Sequence, residues 1–331
     1  MDPGNPSPNS PTKHSKGDAR VMIRTVDADQ KFTYASQLKE RGEYNEALAS
    51  YTEVLKLYTL LHGNEHEKCA QTYKCIASVY SSLGNYNKSQ ENYKVYLAML
   101  PQDHPDISEV YSEMASVYSK QELFNKSLEY HVRSLDIRIA KFGLKHHIVG
   151  MTYSEMAVVF YDKGDYTKAL EYNRKSLEIR LAHSPGHPDV AETYSDIAMI
   201  YEKQEDLVKS IEYFSKSLDI LVRALGPAHP DVGMTYNNMA NVYKEQNEYS
   251  KARIYYEMSL EIAIEYLGEN HVDVGMAYND LADIYDDQGM HGKALDYYER
   301  SYRIMLDNLG PNHPNTKLTE SSIENTKSKM E

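Results

Sequence analysis

The protein has 331 residues, 36 of them basic and 49 acidic, which gives a formal net charge of −13. This acidic balance argues against non-specific binding to nucleic acid and against attraction to an anionic membrane. Hydrophobic residues make up 41% of the chain, too many for a wholly disordered protein, and two cysteines are too few for a disulfide framework. No apolar run approaches the roughly 20 residues that span a bilayer, so we expect a cytoplasmic protein without membrane insertion. These numbers leave the 30 tyrosines unexplained.

The chain begins with a segment rich in proline, serine and asparagine, residues 1–24, and this composition predicts a disordered tail. The segment has no basic start followed by an apolar stretch, so we do not expect a secretory signal. A proline follows each of Ser7 and Ser10, which is typical of sites for proline-directed kinases; a generic solvated tail is the alternative interpretation.

From residue 25 to residue 313 one pattern recurs seven times, at a period close to 42 residues. Each copy contains two stretches with helical periodicity, and a histidine lies in the link to the next copy. In the sixth copy, apolar or aromatic side chains follow Tyr236 at i+3, i+4 and i+7, which places them on one stripe of a helix. The histidines are His66, His104, His146, His187, His229, His271 and His313. The predicted units are 27–65, 66–103, 104–145, 146–186, 187–228, 229–270 and 271–312, and residues 314–331 are predicted to form a capping helix and tail.

Glycine and proline mark the ends of the predicted helices. A glycine follows the first helix of several units, where a left-handed backbone conformation is favoured. A proline follows several of the link histidines, and proline suits a first helical turn because the N–H that it lacks would be unpaired there. The glycines are Gly42, Gly84 and Gly164, and the prolines are Pro105, Pro188 and Pro230.

Small side chains recur where the two helices of each unit are predicted to cross. A large side chain at either place would push the helices apart, at a cost of about 1–3 kcal/mol. The first helices carry Ala35, Ala77, Ala115, Ala157, Ala198, Ala240 and Ala282 at this place. The second helices carry Ala47, Ser89, Ser127, Ala169, Ser210, Ala252 and Ala294.

This arrangement of tyrosine, alanine and glycine resembles the tetratricopeptide repeat family, whose units span about 34 residues. The longer period here, with a Leu-Gly-x-x-His-Pro link, is similar to the repeats of kinesin light chains and nephrocystin-type proteins. The resemblance covers roughly Asp27 to Pro314. It implies an all-α protein, a right-handed α-solenoid of helix-turn-helix repeats, and it implies a non-catalytic function in protein–protein interaction.

The sequence offers little support for catalysis, a cofactor or a metal. It contains no glycine-rich phosphate loop, no His-Glu-x-x-His and no Gly-x-Ser-x-Gly motif. Histidines one period apart lie in successive units and cannot converge on one ion, so we interpret them as structural link residues. The one short metal-like spacing joins His62, His66 and Cys69, and it lacks a fourth ligand. We therefore predict no enzyme, no cofactor and no metal site.

The first helices of stacked repeats line a groove, and this groove is the predicted binding site. Asparagine presents both a donor and an acceptor and suits a peptide backbone, while methionine supplies adaptable apolar contacts. The segment Asn237 to Ala240 also resembles the Asn-Asn-Leu-Ala of kinesin light chains, where groove asparagines help to hold cargo peptides. The predicted groove residues are Ser112, Ser154, Ser195, Met199, Glu202, Met234, Asn237, Asn241, Lys244, Met276, Asn279, Asp283 and Asp286. Ordinary exposed helix residues are the alternative interpretation.

The distribution of charge indicates what kind of partner would bind. Residues 190–331 contain 25 acidic and 13 basic side chains, whereas residues 1–189 contain 24 and 23. An acidic groove disfavours the acidic cargo of kinesin light chains and favours a neutral or basic peptide or protein. Two other functions stay open: a structural scaffold that self-associates as a homo-oligomer, and a regulatory subunit of an enzyme or motor complex.

Overall fold

The computed structural model describes the backbone of residues 14–331 and the side chains of residues 25–331. Over these residues the chain forms fifteen α-helices and no strand, so the predicted all-α class is confirmed. Residues 1–13, including the two Ser-Pro dipeptides, lie outside the described residues. The helices are α1 (His14–Glu40), α2 (Tyr44–His62), α3 (Glu67–Ser82), α4 (Tyr86–Met99), α5 (Ile107–Lys120), α6 (Phe124–Phe142), α7 (His147–Asp162), α8 (Tyr166–His183), α9 (Pro188–Lys203), α10 (Leu207–Leu225), α11 (Pro230–Glu245), α12 (Tyr249–Leu267), α13 (Val272–Asp287), α14 (His291–Leu309) and α15 (Pro314–Ser328).

Helix α1 begins within the segment predicted to be a disordered tail. The prediction of disorder to residue 24 is therefore wrong for the backbone from His14 onward. The composition of the tail is dominated by its first eleven residues, and no proline follows Pro11 until well beyond α1. Without proline, the segment keeps every backbone N–H that a helix needs.

The chain divides into two compact units, unit 1 up to Lys141 and unit 2 from Phe142 onward. Unit 1 contains α1 to α5 and nearly all of α6, and unit 2 contains α7 to α15. Within unit 2 each helix contacts the next helix along the chain. Each unit is thus a stack of helix pairs with a core between neighbouring helices. In unit 2, for example, Tyr256 of α12 packs with Leu281 and Ile284 of α13.

The helices of each pair cross at the predicted small residues. The seven alanines of the first helices are at most 1% exposed, and their seven partners in the second helices are fully buried. Such complete burial leaves no room for a larger side chain, which confirms the predicted crossing points.

Aromatic ring pairs account for much of the tyrosine content. One ring lies one turn after the crossing alanine of the first helix, and its partner lies on the second helix of the same pair. Centroid separations of 5.1–5.4 Å and interplanar angles up to 29° describe stacked rings. The pairs are Tyr118–Tyr130, Phe160–Tyr172, Tyr201–Tyr213, Tyr243–Tyr255 and Tyr285–Tyr297. The tyrosines therefore serve packing, repeated from pair to pair.

The seven link histidines share one structural role at the start of a first helix. In each, the imidazole Nδ1 accepts a hydrogen bond from the backbone N–H two residues later, at 3.1–3.3 Å. The bond satisfies one of the N–H groups that a helix start leaves unpaired. It also requires the tautomer with its proton on Nε2. The structural interpretation of these histidines is confirmed.

Proline and glycine end the helices much as predicted. Pro188 and Pro230 are the first residues of their helices, whereas Pro105 lies in the turn before α5, which begins at Ile107. Gly42 has a φ of +79°, and the other two predicted glycines have similar values. These prolines and glycines mark where the first helices begin and end, and so which residues form their exposed faces.

Candidate binding surface

The predicted groove residue of unit 1, Ser112, does not present its side chain to a ligand. It is 9% exposed, and its hydroxyl shares a 3.0 Å hydrogen bond with that of Ser134. Ser134 in turn donates to the backbone oxygen of Ser108 at 2.6 Å. The expectation that Ser112 faces the groove is therefore wrong, because a hydroxyl of the second helix holds this side chain against its own helix pair.

Two predicted groove serines of unit 2 are engaged in the same way. Ser154 bonds to Ser176 and Ser195 bonds to Ser217, each at 2.9 Å between the hydroxyl oxygens. In each pair the partner lies 22 residues further along the chain. This repeated spacing was the sequence signal that these serines bind each other across a helix pair.

Four predicted polar residues of unit 2 also have partners within the chain, and one of them is Asn279, whose amide oxygen accepts a hydrogen bond from the Thr319 hydroxyl at 3.3 Å. Asn241 accepts a hydrogen bond from the Tyr256 hydroxyl. Asp283 accepts one from the Tyr298 hydroxyl at 2.6 Å and one from Lys244 at 3.1 Å.

Asp286 is a largely enclosed acid, with a side chain 12% exposed. Its carboxylate contacts His291 at 2.8 Å and forms an ion pair with Lys329, which follows α15. Burial acts to raise the pKa of this carboxyl, but the hydrogen bonds from Lys329 and His291 hold it below the ordinary value. Asp286 therefore fastens the end of α15 to α13.

An open cavity of about 700 Å³ in unit 2 brings four predicted groove residues together. They are Met234 and Asn237 of α11, and Met276 and Asn279 of α13. Met234 is 61% exposed, so its flexible thioether stands ready for an apolar contact. We call this space the unit 2 cavity. It is lined by Pro230, Asp231, Gly233, Met234, Asn237, Ser259, Ile262, Ala263, Tyr266, Leu267, Asp273, Met276, Ala277, Asn279, Asp280, Met305, Asn315, Leu318 and Thr319.

The remaining predicted residues lie away from the unit 2 cavity. Met199 packs against a core cluster formed with Phe214 and Met239. Glu202 is half-buried, and burial followed by the nearby charge of Glu245 raises the pKa of its carboxyl. Neither residue joins the four that line the cavity.

The walls of the unit 2 cavity combine apolar side chains with acidic ones. Asp231, Asp273 and Asp280 line it, and none of the described lining residues is lysine, arginine or histidine. Burial, together with the charge of Asp283 and against the opposing charge of Lys244, raises the pKa of Asp280 to about 6. The cavity therefore suits a ligand with both apolar and cationic parts.

Sequence reasoning about first helices alone missed the second-helix wall of this cavity. Ile262, Ala263, Tyr266 and Leu267 all belong to α12. Tyr266 is 66% exposed, unusual for a large aromatic side chain in this protein. The signal was available in the repeat register, since a small residue stands at 263 where other copies carry a long one.

Two classes of site find no support among the described residues. No group of three or more His, Cys, Asp or Glu side chains is arranged to hold a metal ion in residues 25–331. No helix in the described part of the chain has the length and apolarity needed to cross a membrane.

Comparison with protein families gives a match to the tetratricopeptide repeat model over residues 31–102, 106–182, 189–265 and 251–307. A comparison with curated proteins gives no match.

Several solved structures are similar to the chain. The repeats of a putative kinesin light chain from Podosopora anserina are 17% identical with a TM-score of 0.55, over 62% of this chain and 99% of that one. BtubC (BKLC) from P. vanneervenii is 19% identical with a TM-score of 0.57, over 74% and 94%. A signal transduction ATPase with a tetratricopeptide repeat sensor from Pyrococcus horikoshii is 17% identical with a TM-score of 0.64, over 92% of this chain and 44% of that one. At these identities the likeness concerns the fold.

Proposed function

The chain belongs to the tetratricopeptide repeat family, and on that premise we propose that it is a non-catalytic adaptor that binds an extended segment of another protein. Repeats of this family generally mediate protein–protein interaction. The segment binds unit 2, across the first helices α11 and α13. A buried free thiol at Cys69 suits a reducing compartment, and we place the adaptor in the cytoplasm.

The observation that carries this proposal is the unit 2 cavity. Asn237 and Asn279 occupy matching places on neighbouring first helices and both line it. Each side-chain amide has two N–H donors and an oxygen with two lone pairs, only one of which is used in Asn279 by the Thr319 hydroxyl, and these groups match the alternating C=O and N–H groups of an extended backbone. Met234 and Met276 lie one turn before them and supply contacts for the side chains of the segment.

The charge around the unit 2 cavity supports a neutral or basic segment. Three aspartates line it, and the nearby Lys244 is paired with Asp283 at 3.1 Å and with Asp287 at 4.0 Å. An acidic segment would meet like charge there, which is costly where water is partly excluded. The partner therefore carries few acidic residues where it contacts unit 2.

Selection from a displayed library of random peptides tests the proposal. We expect the immobilised full-length protein to enrich peptides that carry lysine or arginine beside apolar residues. The variant Asn237→Ala with Asn279→Ala should bind the enriched peptides at least tenfold more weakly, because two hydrogen-bonding side chains are lost. Binding is measured with the same synthetic peptides by fluorescence anisotropy.

A matched variant controls for non-specific effects of asparagine replacement. Asn64→Ala with Asn312→Ala removes two exposed link asparagines outside the cavity and should leave binding unchanged. Circular dichroism should show equal helicity for all three proteins. Failure to enrich any peptide, or undiminished binding by the cavity variant, would refute the proposal.

A further inference from the structure

One wall of the unit 2 cavity contains a small residue, Ala263, where other helix pairs carry a long side chain. In other helix pairs the matching place lies 23 residues after the crossing alanine of the first helix, and it carries a long side chain. Arg180 of α8, Leu221 of α10 and Met305 of α14 occupy it, and each is at most 9% exposed. At residue 263 the side chain ends at Cβ, so the space that the longer side chains fill stays open.

Arg180 shows what chemistry this space accepts when it is filled. Its Nη1 donates to the backbone oxygen of Asp189 and to Oγ1 of Thr193, both at 2.6 Å. The same atom lies 3.3 Å from Glu192. A buried guanidinium is thus held at the start of the following first helix by oxygen atoms.

The matching residues of α13, two repeats further along the chain, line the open cavity. Asp273 matches Asp189, Met276 matches Glu192, and Ala277 matches Thr193. The backbone oxygen that receives the guanidinium in the α8–α9 pair has its counterpart at Asp273. The cavity therefore keeps the backbone acceptor at Asp273, whereas Met276 and Ala277 present apolar surface where Glu192 and Thr193 present oxygen atoms.

An acidic side chain completes the comparison. Burial and the charge of Glu192 raise the pKa of Asp196, and the charge of Arg180 acts to lower it. Asp280 occupies the matching place in α13, and the cation that acts on it, Lys244, is already paired with Asp283. A cation entering the cavity would meet a carboxylate, that of Asp280, on which no arginine acts as Arg180 acts on Asp196.

We propose that the unit 2 cavity is an anchor site for an arginine side chain of the partner, which takes the place that Arg180 takes in the α8–α9 pair. The guanidinium lies between the backbone oxygen of Asp273 and the carboxylate of Asp280. The aliphatic stem packs against Met305 and Ile262, and the exposed ring of Tyr266 offers a cation–π contact at the mouth. The cavity of about 700 Å³ also has room for a neighbouring apolar side chain. This assignment rests on the proposed function, because the arginine belongs to the bound segment.

A direct titration tests the anchor without a selected peptide. The probe is acetyl-Leu-Arg-Leu-amide, and its matched control has citrulline in place of arginine, which keeps the shape and removes the charge. The full-length protein carries methionines labelled with ¹³C at the methyl group. We expect saturable shifts of the Met234, Met276 and Met305 signals and none of Met114 or Met156, which are buried elsewhere. The citrulline probe should bind roughly tenfold more weakly.

Variants of the chain distinguish binding of arginine in the cavity from non-specific binding of the probe. Ala263→Leu and Ala263→Arg fill the cavity with the side chains that Leu221 and Arg180 place at matching positions, so both are expected to fold. Each should abolish the shifts. Asp280→Asn should weaken the arginine probe and leave the citrulline probe unchanged. Equal affinity of the two probes, absence of any shift at millimolar probe, or undiminished binding by folded Ala263→Leu would overturn the anchor.

The two experiments fail in distinguishable ways. If library peptides bind through Asn237 and Asn279 but equally well to Ala263→Leu, the adaptor proposal stands and the anchor is wrong. If the arginine probe binds in the cavity while no library peptide is enriched, the anchor chemistry stands and binding of an extended segment is wrong.

Discussion

Residues at one place in the repeat differ in their burial and in their charged neighbours, and this alters their chemistry. Two residues before the crossing alanine, four first helices carry an acid: Glu113, Glu155, Asp196 and Asp280. Burial is the largest cause of a raised pKa in Glu113, Asp196 and Asp280, and the pKa reaches about 7 for Asp196 and about 6 for Asp280. The chain thus contains half-buried carboxyl groups that hold their protons far above the ordinary pH range of an aspartate.

The raised pKa of Asp196 predicts a pH-dependent cost to stability. The folded chain retains the proton up to about pH 7, whereas the unfolded chain loses it near the ordinary value of 3.8. Folded protein therefore binds more protons between these values, and its stability falls as the pH rises through them. We expect Asp196→Asn to raise the free energy of unfolding by roughly 2–4 kcal/mol at pH 8, and this gain should at least halve by pH 5. Urea unfolding followed by circular dichroism at both pH values measures it.

Other groups also titrate, so the difference in unfolding free energy between Asp196→Asn and the wild type is more informative than the pH dependence of the wild type alone. Burial lowers the pKa of His131 to about 4, so this residue favours the folded state less as the pH falls below 6.5. The effect of His131 on the pH dependence of stability has the opposite sign to that of Asp196, and it is the same in the wild type and in Asp196→Asn. Asp219→Asn, at an exposed residue paired with Arg223, serves as the control and should show no such pH-dependent gain. A pH-independent gain for Asp196→Asn would contradict the prediction.

The serine pairs show how far sequence reasoning reaches for single residues. The helical stripe places Ser112, Ser154 and Ser195 beside the buried face, and this position alone predicts groove exposure. The structure instead bonds each to a serine 22 residues later. Helical periodicity states which face a residue occupies, but a partner on the second helix decides whether the side chain is free.

At the scale of helices, the ends are specified more by local hydrogen bonds than by any one residue type. Glycine at the end of a first helix is predictable because its backbone enters the left-handed region. Yet Glu122, Glu205 and Asn247 adopt φ values of 59–61° at the same place in their own pairs. The turn is imposed by the packing of the pair, and glycine only lowers its cost.

The histidine cap predicts a specific effect on helix stability. His229→Ala removes the acceptor for the Asp231 N–H at the start of α11, and a lost N-cap costs about 1 kcal/mol. We expect a lower midpoint of thermal unfolding, measured by circular dichroism. His229→Asn keeps a side-chain acceptor two residues from the same N–H and should retain most of the stability. If the asparagine variant is as unstable as the alanine variant, the capping role of the imidazole is wrong.

At the scale of the whole molecule, a strict period explains why the fold is predictable and why the cavity is not. The period fixes helix order, crossing points and the buried stripe, since each copy repeats the same packing. The unit 2 cavity arises where copies differ, at Ala263 and at the start of α15, which supplies Leu318 and Thr319. A small residue at one place in the repeat produces a cavity only when the neighbouring helices leave the space unfilled. The packing of those helices, which the sequence pattern does not state, decides whether they do.

The uneven charge of the chain predicts how binding should depend on salt. Residues 190–331 lie in unit 2 and carry 25 acidic against 13 basic side chains, so a basic segment is attracted to it before contact. The screening length falls from about 10 Å at 0.1 M salt to about 3 Å at 1 M, which removes most of this attraction.

For an arginine-containing peptide from the library, we expect affinity to fall roughly tenfold between 0.1 M and 1 M sodium chloride, because long-range attraction and the exposed part of the ion pair are screened. The same peptide with citrulline should lose much less, since its apolar and backbone contacts are insensitive to salt. Fluorescence anisotropy gives both affinities, and equimolar sucrose controls for changes in solvent. Equal salt dependence of the two peptides would mean that charge plays no part in recognition, although the acidic residues surround the site.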